Sequence, residues 1–504
     1  MKNIAIIGGG ACGVSVFIEL FLKITSMDLT GKVSITWFEK NKDLGYGLAF
    51  GTREEGHLLN TQADLMGIYA DEPDHFAEWL KVHGGKKREE VKGQGSEENA
   101  YTARILYGHY LAEQAKKYLK KSEKVGLRVN AIHAEIIDFD HTAAGYILKD
   151  HAGKQYECDF TILCLGTPKP NTYKEFLKYE LYIDFPWPSE PIVRKLETDI
   201  GHVGVLGCSL SAIDTVMTLE DHGYKGKILL FSPDGLMPRV QPAGHNEVER
   251  KHLTIKNVHQ YKRKFLKRIN TKALFRMYRK DVEHNLGKKV NWKSLNRIGK
   301  DAFKLLKKDV EEAGTGGDAL MNLAYSLRYD ASKIWMGMST DEKVKFMKWL
   351  GPHWAINRHG MPLYNAKRLL HLMENNTLKV VPFLQEVKYN GREGKFSIRC
   401  ADREYQVDLL INATGSPSKL EEMNTELVGN ILKKDIIKPY PAGGAVVNER
   451  TMQLMAKNAG DGLFALGHLV NGQLMDVNAI WFNVKTVKLL SQEVIFKIQQ
   501  DAVS

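Results

Sequence analysis

Ile4-Ala5-Ile6-Ile7-Gly8-Gly9-Gly10-Ala11-Cys12-Gly13-Val14-Ser15-Val16-Phe17 is the stretch whose reading decides the fold. A short apolar run, Asn3–Ile7, stops at a glycine cluster, and apolar residues then recur at helical spacing from Ala11 to about Ile24. That is a buried strand, a tight turn and a helix. Inside the turn the spacing is Gly8-x-Gly10-x-x-Gly13. Glycines so placed permit the tight turn, the approach of backbone to a pyrophosphate, and close helix–strand packing. The helix N-terminus adds open N–H groups and a dipole that favours an anion. Val33–Phe38 alternates, is rich in β-branched residues, and reads as the next strand. Glu39 ends it, where a carboxylate can accept both ribose hydroxyls. It stands further on than the usual ~20 residues, so the first helix or its loop is long. Gly8, Gly10, Ala11, Cys12, Gly13 and Glu39 are the predicted contacts of a first dinucleotide.

The same pattern returns at Val203-Gly204-Val205-Leu206-Gly207-Cys208-Ser209-Leu210-Ser211-Ala212. Ser209 replaces the middle glycine, which narrows backbone approach and adds a hydroxyl donor. Gly207, Ser209, Leu210 and Ser211 are the predicted contacts. The following strand, Lys227–Phe231, ends in Ser232-Pro233 without a carboxylate. A ribose 2′-phosphate is not repelled there, which favours NADP over NAD, with Arg239 a candidate partner for that phosphate. Two dinucleotide sites in one chain serve a simple purpose: NADPH delivers a hydride to a flavin.

Between and beyond these units, residues 40–80 read as loops with a short helix near His75–Leu80, and His83–Asn99 as a mobile surface loop. Ala103–Leu119 has helical spacing. Residues 127–165 alternate like one small sheet, with strands at Leu127–Val129, Ala134–Phe139, Gly145–Lys149 and Phe160–Leu165. Strand patterns return at Lys379–Val381, Glu386–Tyr389, Phe396–Arg399 and Leu409–Asn412, and again at Leu463–Leu466 before a helix from about Val477 to Gln499. The predicted fold class is α/β, with two nested Rossmann-like domains and a mostly helical insert. Length alone suggests three units. An FAD domain takes 1–170 and 416–504, an NAD(P) domain takes 171–246 and 351–415, and the insert is 247–350.

Hydrophobic residues make up 43% and charged residues 26%, ordinary for a globular chain. The net charge of +11 is local: Glu247–Glu312 carries 20 Lys/Arg against 8 Asp/Glu, a net +12. The five cysteines, Cys12, Cys158, Cys164, Cys208 and Cys400, form no C-x-x-C pair, which argues against a disulfide framework, a metal site and a redox dithiol. A reducing cytoplasm is the expected location. No apolar run approaches ~20 residues, and Ile4–Ile7 is too short for a signal-peptide core of about 7–15 residues.

Further blocks carry a family resemblance: Gly45-Tyr46-Gly47-Leu48-Ala49-Phe50, His57-Leu58-Leu59-Asn60 to Met66, Asp74-His75-Phe76-Ala77-Glu78-Trp79-Leu80, Pro186-Trp187-Pro188, Leu236-Met237-Pro238 and Arg358-His359-Gly360-Met361-Pro362. The chain resembles the two-dinucleotide flavoproteins, and within them a bacterial FAD/NAD(P)-binding family that includes amino-acid N-monooxygenases and urate-hydroxylase-like enzymes. The resemblance implies NADPH-dependent oxygenation through a flavin hydroperoxide, with FAD and NADPH as cofactors and a small molecule and oxygen as partners. It places Gly47 at the FAD, makes Leu163–Pro168 and Asn412–Pro417 the two interdomain hinges around Gly166 and Gly415, and makes Leu463–His468 the late FAD motif with Gly467. Related proteins carry Asp where His468 stands, and there is no Baeyer–Villiger fingerprint before His202.

Flavin hydroxylation asks little of side chains beyond excluding water, a hydrogen bond to the flavin, and substrate positioning. Asn60 is the first candidate at the flavin ring and Gln62 the second, because an amide both donates and accepts. His57 reads as structural, and Asp64, Asp71, Glu72 and Asp74 as a solvated turn. Arg358 and His359 are candidates for an acidic substrate. No metal site is predicted. The insert's Lys262-Arg263-Lys264, Lys267-Arg268 and Arg279-Lys280, interleaved with Tyr261, Phe265, Phe275 and Tyr278, fit nucleic acid or an anionic membrane. The preferred reading is a solvated face on an amphipathic helical lid, with the aromatics in its core. The alternatives to a monooxygenase of a small, nitrogen-containing molecule are an NAD(P)H-dependent flavin oxidase or reductase, and a non-catalytic FAD-binding protein.

Overall fold

The computed structural model describes residues 1–88, 101–401 and 403–501. The chain folds as two units. The first comprises Met1–Arg53, Thr61–Pro168 and Ser416–Ser504, and the second Glu54–Asn60 and Lys169–Gly415.

In chain order, the first unit begins with β1 (Lys2–Ile7), α1 (Ala11–Ser26) and β2 (Val33–Glu39). It continues through α2 (His75–Arg88), α3 (Arg104–Lys124) and β3 (Arg128–His133). Then come β4 (Ile136–Thr142), β5 (Gly145–Asp150), β6 (Gln155–Cys158) and β7 (Phe160–Leu163). The second unit follows with β8 (Tyr182–Ile183), β9 (His202–Leu206), α4 (Leu210–Asp221) and β10 (Lys227–Phe231). Its helical stretch includes α5 (Ile255–Phe265), α6 (Thr271–Asn285), α7 (Ala302–Ala313), α8 (Thr340–Trp349) and α9 (Leu363–Glu374). It closes with β11 (Leu378–Val381), β12 (Leu384–Asn390), β13 (Lys395–Cys400), β14 (Arg403–Val407) and β15 (Leu409–Asn412). The chain ends in the first unit with β16 (Leu463–Ala465) and α10 (Ile480–Asp501).

The two units repeat one plan. In the first, five parallel strands run β16-β7-β1-β2-β3, and in the second β8-β15-β9-β10-β11. Each unit also carries a three-stranded antiparallel sheet, β4-β5-β6 or β12-β13-β14, placed in the chain between the edge strand and the strand beside the centre. Parallel strands need crossovers. In the second unit helices pack on one face of the parallel sheet, against Val203 and Val205, and Phe396, Ile398 and Cys400 of the antiparallel sheet pack on the other, against Leu206, Phe231 and Leu410, so the central strands are buried on both sides. That is why Ile4–Ile7 and Val203–Leu206 read as continuous apolar runs and not as alternating ones. α1 is buried along most of its length, from Gly13 to Ile18 and at Leu20, Phe21 and Ile24, with the Phe17 ring tilted by 33° at 4.8 Å from Trp37 of β2.

Two expectations change. Residues 127–165 are not one small sheet: β3 and β7 belong to the parallel sheet, and only β4–β6 form the antiparallel one. Alternation cannot tell an edge strand exposed on one side from a hairpin strand, and β3 is such an edge. Helix α2 runs through residues 83–88, which the glycine and lysine content marked as loop; residues 89–99 of that loop lie outside the described residues. Residues 247–350, the expected insert between the two parts of the NAD(P) domain, fall within the second unit's Lys169–Gly415 stretch.

Candidate functional site

In the first unit the glycine turn joins β1 to α1. Gly8 has φ +111°, and a Cβ there would lie 2.2 Å from the Cys164 carbonyl oxygen at the end of β7. A Cβ on Gly13 would lie 1.9 Å from the Gly8 carbonyl oxygen, so α1 rests directly on the turn. Gly10 is the N-cap and offers no side chain to the first turn of α1, which leaves those N–H groups open to an anion. The Gly45–Phe50 block closes the other wall. Gly45 N–H donates to the Gly9 carbonyl at 2.7 Å, and a Cβ on Gly47 would lie 3.2 Å from the Gly10 Cα. Glu39 is buried beside this turn, accepting from Gly9 N–H at 2.5 Å and from the Asn41 backbone and side chain at 2.8 and 2.9 Å. Its carboxylate keeps further lone pairs for hydroxyl donors.

The late motif reaches the same turn: a Cβ on Gly467 would lie 3.4 Å from the Cys12 Sγ. His468 next to it is buried, with Nε2 2.9 Å from the Pro417 carbonyl. A carbonyl only accepts, so Nε2 carries the proton. Burial pushes the ring's pKa below the ordinary histidine value, against the pull of the Pro417 carbonyl and of Asn478. The neutral ring therefore presents the buried Nδ1 as an acceptor, with the Asn478 side chain beside the ring. A carboxylate, which the resemblance implies at this position, is also an acceptor, so His468 can offer the same half of a hydrogen bond. His468→Leu is expected to weaken FAD binding roughly tenfold, about 1.4 kcal/mol for one buried hydrogen bond, and His468→Asp to stay within about threefold. Fluorescence titration of the apoprotein with FAD checks both.

Burial holds all five thiols high: Cys12, Cys158 and Cys208 are pushed up to about 12, Cys400 to about 11, and Cys164 well above the ordinary value. They are neutral at pH 7, which removes thiolate chemistry.

The second unit repeats the turn. Gly207 has φ +120°, and a Cβ there would lie 2.5 Å from the Ala413 carbonyl oxygen at the end of β15, as Gly8 stands to Cys164. Ser209 is the N-cap of α4, but its hydroxyl makes no capping bond and is exposed. Register makes Ser232 the counterpart of Glu39: Phe38 pairs with Ile7, and Phe231 with Leu206. Ser232 Oγ donates to Asp234 at 3.1 Å and accepts from Gly235 N–H at 2.7 Å, so a hydroxyl stands at the position where the first unit has a carboxylate, and the Asp234 carboxylate, two residues on, is engaged by Ser232 Oγ and Leu236 N–H. Arg239 is not a partner for a 2′-phosphate. It is buried among Asp309, Glu312, Asp318 and Asn357 and spends its donors on them.

The chain crosses between units at residues 53–54, 60–61, 168–169 and 415–416. Gly166 and Gly415, φ +71° and +88°, flank two of these crossings. In the first unit Ser416 Oγ donates to the Pro168 carbonyl at 2.5 Å. In the second, Asn412 Nδ2 donates to the Thr172 carbonyl at 3.0 Å. The excursion of residues 54–60 was not foreseen. Glu54 accepts from Ser189 Oγ at 2.5 Å, Gly56 N–H donates to Asp221 at 2.9 Å, and Asn365 of α9 donates to the Gly56 carbonyl at 2.8 Å. His57 is fully buried on α4 against Thr218 and the Asp214 carbonyl, and is structural as expected. Asn60 thus belongs to the second unit and Gln62 to the first. Asp71, Glu72 and Asp74 are exposed, as a solvated turn requires, whereas Asp64 is partly buried. Arg358 is buried.

Among the described residues no cluster of histidine, cysteine or carboxylate side chains could hold a metal ion. No described helix is long and apolar enough to cross a membrane. Residues 5–168 match the model of a family described as FAD-NAD(P)-binding. No curated protein sequence matches the chain. Among solved structures, the chain is similar to the reduced ornithine hydroxylase of Pseudomonas aeruginosa, with a TM-score of 0.59 at 11% identity over 99% of both chains. It is similar to the ornithine N-hydroxylase of Kutzneria sp. 744, with a TM-score of 0.58 at 12% identity over 100% of both. It is also similar to the L-lysine 6-monooxygenase of Pseudomonas syringae, with a TM-score of 0.57 at 13% identity over 99% of both. At these identities the likeness is one of fold.

Proposed function

We propose that the chain is an FAD-dependent, NADPH-using monooxygenase that hydroxylates a small, nitrogen-containing molecule, with residues 5–168, which match a family described as FAD-NAD(P)-binding, within its FAD domain. The observation that carries the reading is the repeated turn. Two helices on one repeated topology begin without a side-chain cap, one beside Glu39 and the other beside Ser232. A carboxylate suits the two ribose hydroxyls of FAD, and a neutral position suits the 2′-phosphate of NADPH.

Bound FAD supplies the redox chemistry, taking a hydride from NADPH and activating oxygen. The chain's part is to bind and orient. Gly8, Gly10, Ala11, Cys12 and Gly13 receive the FAD pyrophosphate on α1, Glu39 takes the adenosine ribose, and Gly47, Gly467 and His468 line the remaining length. Gly207, Ser209, Leu210 and Ser211 hold the NADPH pyrophosphate, with the unused Ser209 hydroxyl as an extra donor. Gly166 and Gly415 give the connectors their turns. Asn60 is assigned to the flavin ring, with Gln62 the second candidate. The shared fold with ornithine and lysine hydroxylases supports an amine nitrogen as the site of oxygenation.

Ser209→Glu is expected to raise the KM for NADPH at least about thirtyfold by setting a carboxylate at the anion site, roughly 2 kcal/mol. FAD content should not change, which separates the second site from the first. For the reaction itself, the FAD-loaded protein is given NADPH, oxygen and a panel of amines, amino acids and purines. A product heavier by one oxygen atom, formed in step with NADPH consumption, supports the monooxygenase. Hydrogen peroxide equal to NADPH consumed with every compound would overturn it in favour of an oxidase.

A further inference from the structure

We infer that the turn at Lys262–Arg268 docks the protein on the surface of an anionic lipid bilayer. The basic stretch does not keep all its aromatics in a core. Phe275 packs on Trp292 and Trp349, and Tyr278 donates to the Leu320 carbonyl at 2.7 Å. Phe265 and Leu266 do not follow them. α5 ends at Phe265, and Leu266 takes a left-handed conformation, φ +49°, that turns the chain outward. Leu266 is 91% exposed and Phe265 49% exposed. All seven residues from Lys262 to Arg268 are exposed, and five of them are cations.

Along the chain, the charge to either side of this apex is of one sign. From Arg250 to Lys280 the chain has twelve Lys/Arg and no Asp or Glu. Arg250, Lys251 and Arg279 pair with carboxylates, but among the described residues Lys262, Arg263, Lys264, Lys267 and Arg268 form no ion pair. Lys264 and Lys267 lie 5.4 and 5.9 Å over the Phe265 ring. The packed neighbour α8 brings Asp341 and Glu342, and Glu342 is engaged by Thr271 N–H at 2.7 Å and by Lys345 at 2.9 Å. The apex stands on a fixed base: Asn270 caps α6, Thr271 Oγ1 donates to the Glu342 carbonyl at 3.0 Å, and Arg268 donates to the Met338 carbonyl at 3.1 Å.

A bilayer of anionic lipids matches both halves of this surface. Five cations meet headgroup phosphates, and an aromatic and a leucine enter the acyl boundary, so basic and apolar anchors act together. A nucleic acid would use the cations but gains nothing from a leucine held almost wholly in solvent.

The test uses the full chain and vesicles of phosphatidylcholine and phosphatidylglycerol at 3:1, with phosphatidylcholine vesicles and a single-stranded RNA as comparisons. The protein is expected to sediment with the anionic vesicles at low salt, roughly tenfold more strongly than with neutral ones, and to release in 0.5 M salt, since exposed charges are screened. Leu266→Asp and the double change Phe265→Ser with Leu266→Ser should each weaken vesicle binding roughly tenfold, with thermal unfolding unchanged because both sites are exposed. No binding to anionic vesicles, binding indifferent to both variants, or tighter binding to RNA than to vesicles would each overturn the inference.

Discussion

A Gly10→Val chain is expected to fold as the parent does and to bind FAD roughly 100-fold more weakly, about 2.8 kcal/mol. Gly10 has φ −75°, a backbone angle any residue adopts, and a Cβ there meets nothing closer than the Gly47 Cα at 3.7 Å. The protein's own packing therefore tolerates the side chain. Its two methyl groups, however, fill the space between the α1 N-terminus and Gly47 where a pyrophosphate has to enter. Gly13→Ala, by contrast, drives a Cβ into the Gly8 carbonyl and loses fold and ligand together, so it cannot separate the two roles. The measurement is a paired one: thermal unfolding of the apoprotein, within about 2 °C of the parent, and FAD titration by fluorescence. Parent-like FAD affinity would mean that the pyrophosphate does not lie on α1.

The second large effect concerns Arg239. Its guanidinium reaches Glu312 at 2.7 Å, Asp318 at 2.8 Å and Asp309 at 3.1 Å, and its side chain is only 6% exposed. Those carboxylates hold its pKa above the ordinary arginine value although burial alone would lower it. Arg297 shares Asp309. Removing Arg239 leaves partly buried carboxylates facing one another with too few cations, and breaking such a network costs roughly 3–5 kcal/mol. Arg239→Ala is expected to lower the melting temperature by roughly 10 °C. Arg239→Lys should recover only part of this, because a point charge cannot span three carboxylates. Calorimetry of the three proteins decides it. An unchanged melting temperature with a selective loss of NADPH affinity would instead make Arg239 a phosphate ligand.

Both turns were legible because glycine chemistry is local: the strand, the spacing and the helix all lie within about a dozen residues of each other. Glu39 and Ser232 could be read for the same reason, since each simply ends the next strand. Partners far along the chain could not. Arg239 meets carboxylates 70–79 residues away, and nothing near it in sequence announces them. The excursion of residues 54–60 was hidden because Leu58 and Leu59 are buried in either unit's company, and an apolar pair looks alike whichever core it joins. The β3 and β7 assignments failed because short strands of a parallel sheet and of a hairpin share one period. Phe265 reads as a core residue, since helical spacing puts it on the face of Tyr261, 4.6 Å from its ring. The left-handed turn at Leu266 that carries the apex outward is a tertiary feature no periodicity reports.

The most direct test of a two-dinucleotide flavoenzyme is the visible spectrum of the purified protein, recorded with FAD and then titrated with NADPH under nitrogen. Bound oxidised flavin that bleaches with one equivalent of NADPH, and does so far more slowly in the Ser209→Glu protein, is the predicted result. A protein that takes up no FAD, or a bound flavin that NADPH leaves fully oxidised, would contradict the account.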